Sequence, residues 1–181
     1  MTLLVLGVLL WSAAHLFKRV APDRRAAMGQ KGKGIVALVL VASVLMMIFG
    51  YRSAGGAVFW GRTPALVGIN NLLMLVAFYL FAAAGMKVRV GRVLRHPQLT
   101  GFVLWSVGHI LVNGDMASFV LWGGLLIWAH LEIILINRAE PGWTRPEPAP
   151  VRKEVIAVAG SLVVLAAIMF IHNWLGYPPF G

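Results

Sequence analysis

Apolar residues in this chain gather in six long runs, over approximately 2–18, 35–51, 65–86, 98–113, 117–137 and 155–175. Each run holds about 16 to 22 residues, near the ~20 that an α-helix needs to cross a ~30 Å hydrocarbon core. The pattern predicts an all-α, polytopic bundle of six transmembrane helices, a single domain over residues 1–181. The second and fourth runs are short and must stand nearly upright in the bilayer. Chain breakers support the boundaries. Pro22, Gly32 and Gly34 punctuate the first loop, and Gly55, Gly56 and Pro64 the second. Pro97 opens the fourth helix at a first-turn position, where its missing N–H costs nothing. Asn113-Gly114-Asp115 reads as a tight turn, and Pro141, Pro146, Pro148 and Pro150 stiffen the fifth loop.

Charge adds direction to this pattern. Lys and Arg number six in the first loop, four in the third and four in the fifth, against two in the second and none in the fourth or the termini. Fourteen of the sixteen cations therefore fall on alternate loops, which places those loops in the cytoplasm and both termini outside. The net charge of +10 needs no nucleic acid, because a basic cytoplasmic face holds anionic lipid headgroups. The 2–18 run is expected to be a retained helix and not a cleaved signal, since Lys18 and Arg19 follow the apolar stretch and no basic segment precedes it. With no cysteine, thiolate ligation, iron–sulfur clusters, disulfides and cysteine nucleophiles are excluded.

One phrase occurs twice. Leu10-Trp11-Ser12-Ala13-Ala14-His15 on the first span returns as Leu104-Trp105-Ser106-Val107-Gly108-His109 on the fourth. On a helix the Trp lies one turn before the His on the same face, giving an apolar floor beneath a nitrogen ligand. His15 falls about 18 Å along its span and His109 about 15 Å along an antiparallel one, so both are expected near mid-membrane depth. Two readings stay open. The pair grips a haem iron from opposite sides, with Trp11 and Trp105 flanking the macrocycle, or each imidazole bonds a neighbouring helix and cements packing. The repeat also suggests an inverted three-plus-three arrangement, although the loop lengths do not match.

The remaining polar groups take secondary places. His130 on the fifth span is a further ligand candidate or a partner for a propionate. Glu132 is expected to snorkel or to pair with a loop arginine. Asn113, one turn beyond His109, either lines the same pocket or ends the helix. Asn70 and Asn71 interrupt an apolar run and either hydrogen-bond across helices or contact a ligand, with packing the first reading. His172, beside Trp174 and Tyr177, reads as part of an interfacial belt.

Arg95-His96-Pro97-Gln98-Leu99-Thr100-Gly101 opens the fourth helix. Arg95 and His96 offer cationic donors at a helix N-terminus, a position that favours anions such as a propionate or a lipid phosphate. This segment, followed by Trp105, His109 and Asn113-Gly114-Asp115, resembles the NnrU family of bacterial membrane proteins, and the resemblance extends to His15 and most of the chain. It implies a multi-pass protein of the bacterial cytoplasmic membrane associated with nitrite and nitric oxide metabolism. The pattern is also similar to plant ζ-carotene isomerase, a haem b membrane enzyme. Carried over, the likeness implies that His15 and His109 are axial ligands of haem b iron, with His96 in the loop motif and His130 near the site. Ser106 stands where the plant enzyme has a cysteine, so a Cys–His ligand switch is not available here.

Two other classes compete. The chain is a non-catalytic scaffold that meets a respiratory or denitrification membrane protein through its apolar faces. Alternatively, Arg-His-Pro followed by Gly101 is similar to membrane methyltransferases that use S-adenosylmethionine, although Glu140 and Glu147 do not supply the paired acids of those enzymes. Oligomeric state is not written in the sequence.

Overall fold

The computed structural model describes residues 1–147 and 149–179; Pro148, one of the loop prolines, lies outside the described residues. It is all-α apart from one small ladder. Five helical segments are long and apolar enough to cross a membrane: Thr2–Val20 (α1), Gly29–Ser53 (α3), Pro64–Met86 (α4), Met116–Ala139 and Val151–Trp174 (α8). The 97–112 segment (α5) is apolar but shorter, at 16 residues. Leu38 and Phe170 are each 72% exposed, and Val163 is 68% exposed. Side chains of this kind turned outward on spanning-length helices need lipid around them, so the chain is a multi-pass membrane protein.

The helices sort into two compact units, and these interleave along the sequence. The first unit combines Met1–Trp60 with Gly114–Ala139, and the second combines Gly61–Asn113 with Glu140–Gly181. Neither unit is a run of three consecutive spans: the first holds the first, second and fifth apolar segments, and the second holds the third, fourth and sixth.

In the first unit, α1 and α3 approach closely because glycines face the partner. A Cβ on Gly7 would lie 2.9 Å from the Met47 backbone nitrogen, and one on Gly50 would lie 2.5 Å from that of Leu4. Small residues of this kind let helix backbones meet where no water is present to drive association. A short helix, Pro22–Ala27 (α2), precedes α3. The sequence places Gly32 and Gly34 in a loop, yet both lie inside α3. A Cβ on Gly32 would sit 2.5 Å from that of Met28 and 2.8 Å from the Arg25 guanidinium, so this glycine serves a close approach and does not break the helix.

Asn113-Gly114-Asp115 also differs from expectation. Gly114–Asp115 (β2) pairs antiparallel with Val58–Trp60 (β1), in place of a free tight turn. Gly114 is required there because a side chain would enter the Trp60 ring. Asp115 then caps the next segment, accepting from the Ser118 backbone at 2.9 Å and its hydroxyl at 2.8 Å. The Tyr51 and Ser118 hydroxyls lie 2.8 Å apart. The helix that follows is not uniform. Met116–Ser118 (α6) passes through a π turn at Phe119–Gly123 before Gly124–Ala139 (α7). An inserted π turn shifts the faces of the following residues by one position, a feature common at functional sites.

In the second unit, Thr63 caps α4 by accepting from Leu66 N at 3.2 Å, with Pro64 in the first turn. Lys87, in the left-handed region at φ 56°, ends that helix. α5 packs on α4 through Gly101, where a Cβ would lie 2.9 Å from the Ala77 carbonyl, and through Gly108, which faces Met74 and Asn70. Ala157 of α8 packs with Ala83 and Val88. The Glu154 carboxylate accepts from the Arg89 backbone N–H at 2.5 Å, fixing the short 3₁₀ turn Arg89–Arg92 to α8.

Candidate functional site

Each unit carries one copy of the Trp–His phrase, and the local geometry is the one its spacing dictates. In the first unit, the His15 and Trp11 ring centroids are 4.2 Å apart. Trp128 of α7 completes the enclosure, 4.7 Å from His15 and 5.4 Å from Trp11. His15 Nδ1 lies 3.0 Å from the Trp11 carbonyl oxygen. A carbonyl can only accept, so in the neutral ring this bond places the proton on Nδ1 and leaves Nε2 with a lone pair. Anchoring one ring nitrogen to a carbonyl while the other faces outward is the usual support for a metal-ligating histidine. One turn beyond His15, Arg19 Nε is 3.5 Å from the buried Glu132 carboxylate. Glu132 thus pairs with an arginine as the sequence suggests, and the partner belongs to the last turn of α1.

In the second unit, Trp105 and His109 stand edge to face with centroids 5.2 Å apart. Both line a cavity of about 130 Å³. Asn113 lines it too and ends α5, and its Nδ2 donates to the His109 carbonyl at 2.8 Å. The cavity also collects Asn70 and Asn71 of α4 and His172 of α8. The two asparagines thus stand where a ligand could meet them, and His172 faces the cavity and not only the interfacial belt. His172 Nδ1 lies 2.9 Å from the Ile168 carbonyl and, by the same reasoning as for His15, leaves Nε2 with a lone pair.

The other sequence candidates stand apart from these clusters. Arg95 and His96 sit at the start of α5, about 20 Å along that helix from His109 at 1.5 Å per residue. Neither lines the cavity. The Arg95 guanidinium donates to the Glu140 carbonyl oxygen, tying the α5 entry to the loop before α8. His130 is exposed on α7, with Nδ1 2.9 Å from the Leu126 carbonyl.

Among the described residues, no group of three His, Asp or Glu side chains could hold a bare metal ion. A haem brings its own equatorial nitrogens and asks the protein only for axial ligands, so a fixed imidazole with a free Nε2 is a donor of the right kind. His15 meets that requirement directly. His109 shares its phrase and its Trp platform.

No curated protein and no solved structure matches the chain. The family described as NnrU protein matches residues 3–179, spanning both units and both copies of the phrase. The chain belongs to the NnrU family.

Proposed function

We propose that this NnrU protein is a haem b protein of the bacterial cytoplasmic membrane, with His15 and His109 as its axial ligands. The observation that carries the reading is the His15 imidazole, held over Trp11 with its Nδ1 proton given to a backbone carbonyl and its Nε2 lone pair left for iron. Trp105 and His109 repeat the pairing on α5. Bound haem would supply one-electron chemistry or a polarising iron, in keeping with a redox or isomerase-like task in nitrite and nitric oxide metabolism. The chain contributes ligands and flat apolar walls, while Arg95 and His96, about 20 Å along α5 from His109, would offer donors to an anionic group at the helix entry.

The accompanying topology has six spans, with α5 as the fourth and both termini periplasmic, and one family domain embraces both units. The 14-to-2 partition of cations supports that orientation. Alkaline phosphatase fused after Gly181 is expected to be active, and a fusion within residues 138–154 silent; the opposite pattern overturns the orientation.

The cofactor is tested by a redox-difference spectrum of the purified protein. The chain has no cysteine for covalent attachment, so acid–acetone is expected to extract the pigment. A colourless protein from haem-replete cells would sink the reading. It would leave the scaffold, which the broad outward apolar faces favour, with a respiratory or denitrification membrane protein as partner.

A further inference from the structure

Hydrogen-bond donors and acceptors around the second-unit cavity do not balance, and the imbalance describes what would fill it. Gly176, at φ 85°, turns the chain sharply after α8, so that Tyr177, Pro178 and Pro179 line the cavity. Two bonds hold this strap: Arg62 donates to the Pro178 carbonyl at 2.8 Å, and Asn71 Nδ2 donates to the Pro179 carbonyl at 3.2 Å. Asn113 Nδ2 is directed to the His109 carbonyl, and Asn70 Nδ2 to Asn71 Oδ1 at 3.4 Å. Each side-chain amide therefore gives an N–H to an oxygen of the chain itself.

Each amide keeps a second N–H, and the group left buried without any partner is an acceptor. Asn70 Oδ1 is buried and receives no hydrogen bond among the described residues. His172 offers Nε2, because its Nδ1 proton goes to Ile168. A buried acceptor without a donor destabilises a protein, so Asn70 Oδ1 calls for a ligand that brings a donor of its own, and His172 Nε2 offers a second acceptor beside it. The other walls are flat or flexible and apolar, with Trp105 and Phe78 as rings and Met74 and Met169 as adaptable fillers. An apolar cavity with a few convergent polar groups is the usual form of a small-molecule site.

We propose that this cavity binds a compact flat ring bearing hydroxyl donors, the chemistry of a phenol or hydroquinone headgroup. Asn70 Oδ1 and His172 Nε2 accept from its hydroxyls, and the Gly176–Pro179 strap covers it. Neither acceptor is a proposed iron ligand, although His109 lines the same cavity, so the inference does not rest on the haem reading.

The test is anaerobic calorimetric titration of the detergent-purified full chain with hydroquinone, p-xylene and 1,4-benzoquinone. These share one flat ring, and only hydroquinone can donate. Hydroquinone is expected to bind at least tenfold more tightly than either of the others. Asn70→Leu and His172→Phe are each expected to weaken hydroquinone at least tenfold while leaving p-xylene binding unchanged, which also shows that the cavity has survived. His172→Gln, which keeps an acceptor, is expected to retain most of the preference. Equal affinity for the three rings in the unaltered protein overturns the proposal without needing any variant. Undiminished hydroquinone binding in both Asn70→Leu and His172→Phe overturns it as well. A preparation without pigment is expected to show the same preference, so this result and the haem result can fail separately.

Discussion

The two copies of the Trp–His phrase have the same local geometry and different surroundings. His15 is enclosed by aromatic rings, with Trp11 below and Trp128 across from it, and an ion pair lies one turn away. His109 has its Trp platform too, but it borders an open space lined by asparagines and a second histidine. Six residues of sequence dictate the i, i+4 contact, because that spacing stacks side chains on one helix face. They do not dictate what meets that face. α7 brings Trp128 to the first copy, whereas α4 and α8 bring Asn70 and His172 to the second. A repeated motif therefore specifies a pair of side chains, and the packing partners decide whether it becomes a wall or a cavity.

The sharpest way to break the comparison is to remove each imidazole in turn. His15→Ala and His109→Ala are each expected to abolish the low-spin haem spectrum or reduce it to a small residue, because each deletes an axial bond and opens a void. If both variants kept full spectra, the two phrases would be packing devices only. If only one mattered, they would have separate roles.

Next in size is the ion pair that accompanies the first copy alone. Glu132 is 4% exposed, so Glu132→Ala would remove a buried carboxylate that lies 3.5 Å from Arg19 Nε. Breaking a buried pair this way costs roughly 3 kcal/mol or more, and partial exposure of Arg19 argues for the lower end. A fall of several degrees in the thermal midpoint in detergent is expected, with the aromatic cluster at Trp11 and Trp128 losing its near-ultraviolet dichroism first. An unchanged midpoint would mean that Arg19 reaches water or a lipid phosphate once its partner is gone.

What the sequence revealed and what it hid follow from the range of the forces involved. The helices were legible because a membrane span needs a continuous apolar run, and five of the six runs became helices of spanning length. The start of α3 was not, because Gly32 signals a break locally while its fit against Arg25 and Met28 is tertiary. The β1–β2 ladder escaped because strands of three and two residues have no periodicity to read. The π turn lies in a hydrogen-bond register that composition does not record. His172 was grouped with Trp174 on proximity, yet residues two apart point to nearly opposite sides of a helix. Trp174 is 78% exposed, and His172 turns into the cavity.

A smaller effect distinguishes how the two units are packed. Gly124 meets the Val8 side chain, where a Cβ would lie 2.5 Å from Cγ1, and Gly108 meets Met74 and Asn70. Gly124→Ala and Gly108→Ala each overpack a helix contact, which costs about 1–3 kcal/mol. The first is expected at the upper end, because Val8 is buried and β-branched and has few rotamers to move to. The second is expected at the lower end, because Met74 is flexible and the cavity beside it offers room. Chemical or thermal unfolding in one detergent compares them directly, and a reversed order would show that the cavity wall is the stiffer of the two.

The smallest expected effect belongs to His130. It sits on α7 two residues after Trp128 and two before Glu132, so the sequence offers it as a replacement ligand. Trp128 and Glu132 are both buried, whereas His130 is exposed with its Nδ1 turned to the Leu126 carbonyl. Side chains at i and i+4 share a face and the residue midway between them points away, so the face that serves His15 excludes His130. His130→Ala is therefore expected to leave the haem spectrum in place and to change stability by about 0.5 kcal/mol or less, the usual range for exposed positions. Loss of the pigment in this variant would require His130 to turn inward, and with it the register of α7 after the π turn at Phe119–Gly123.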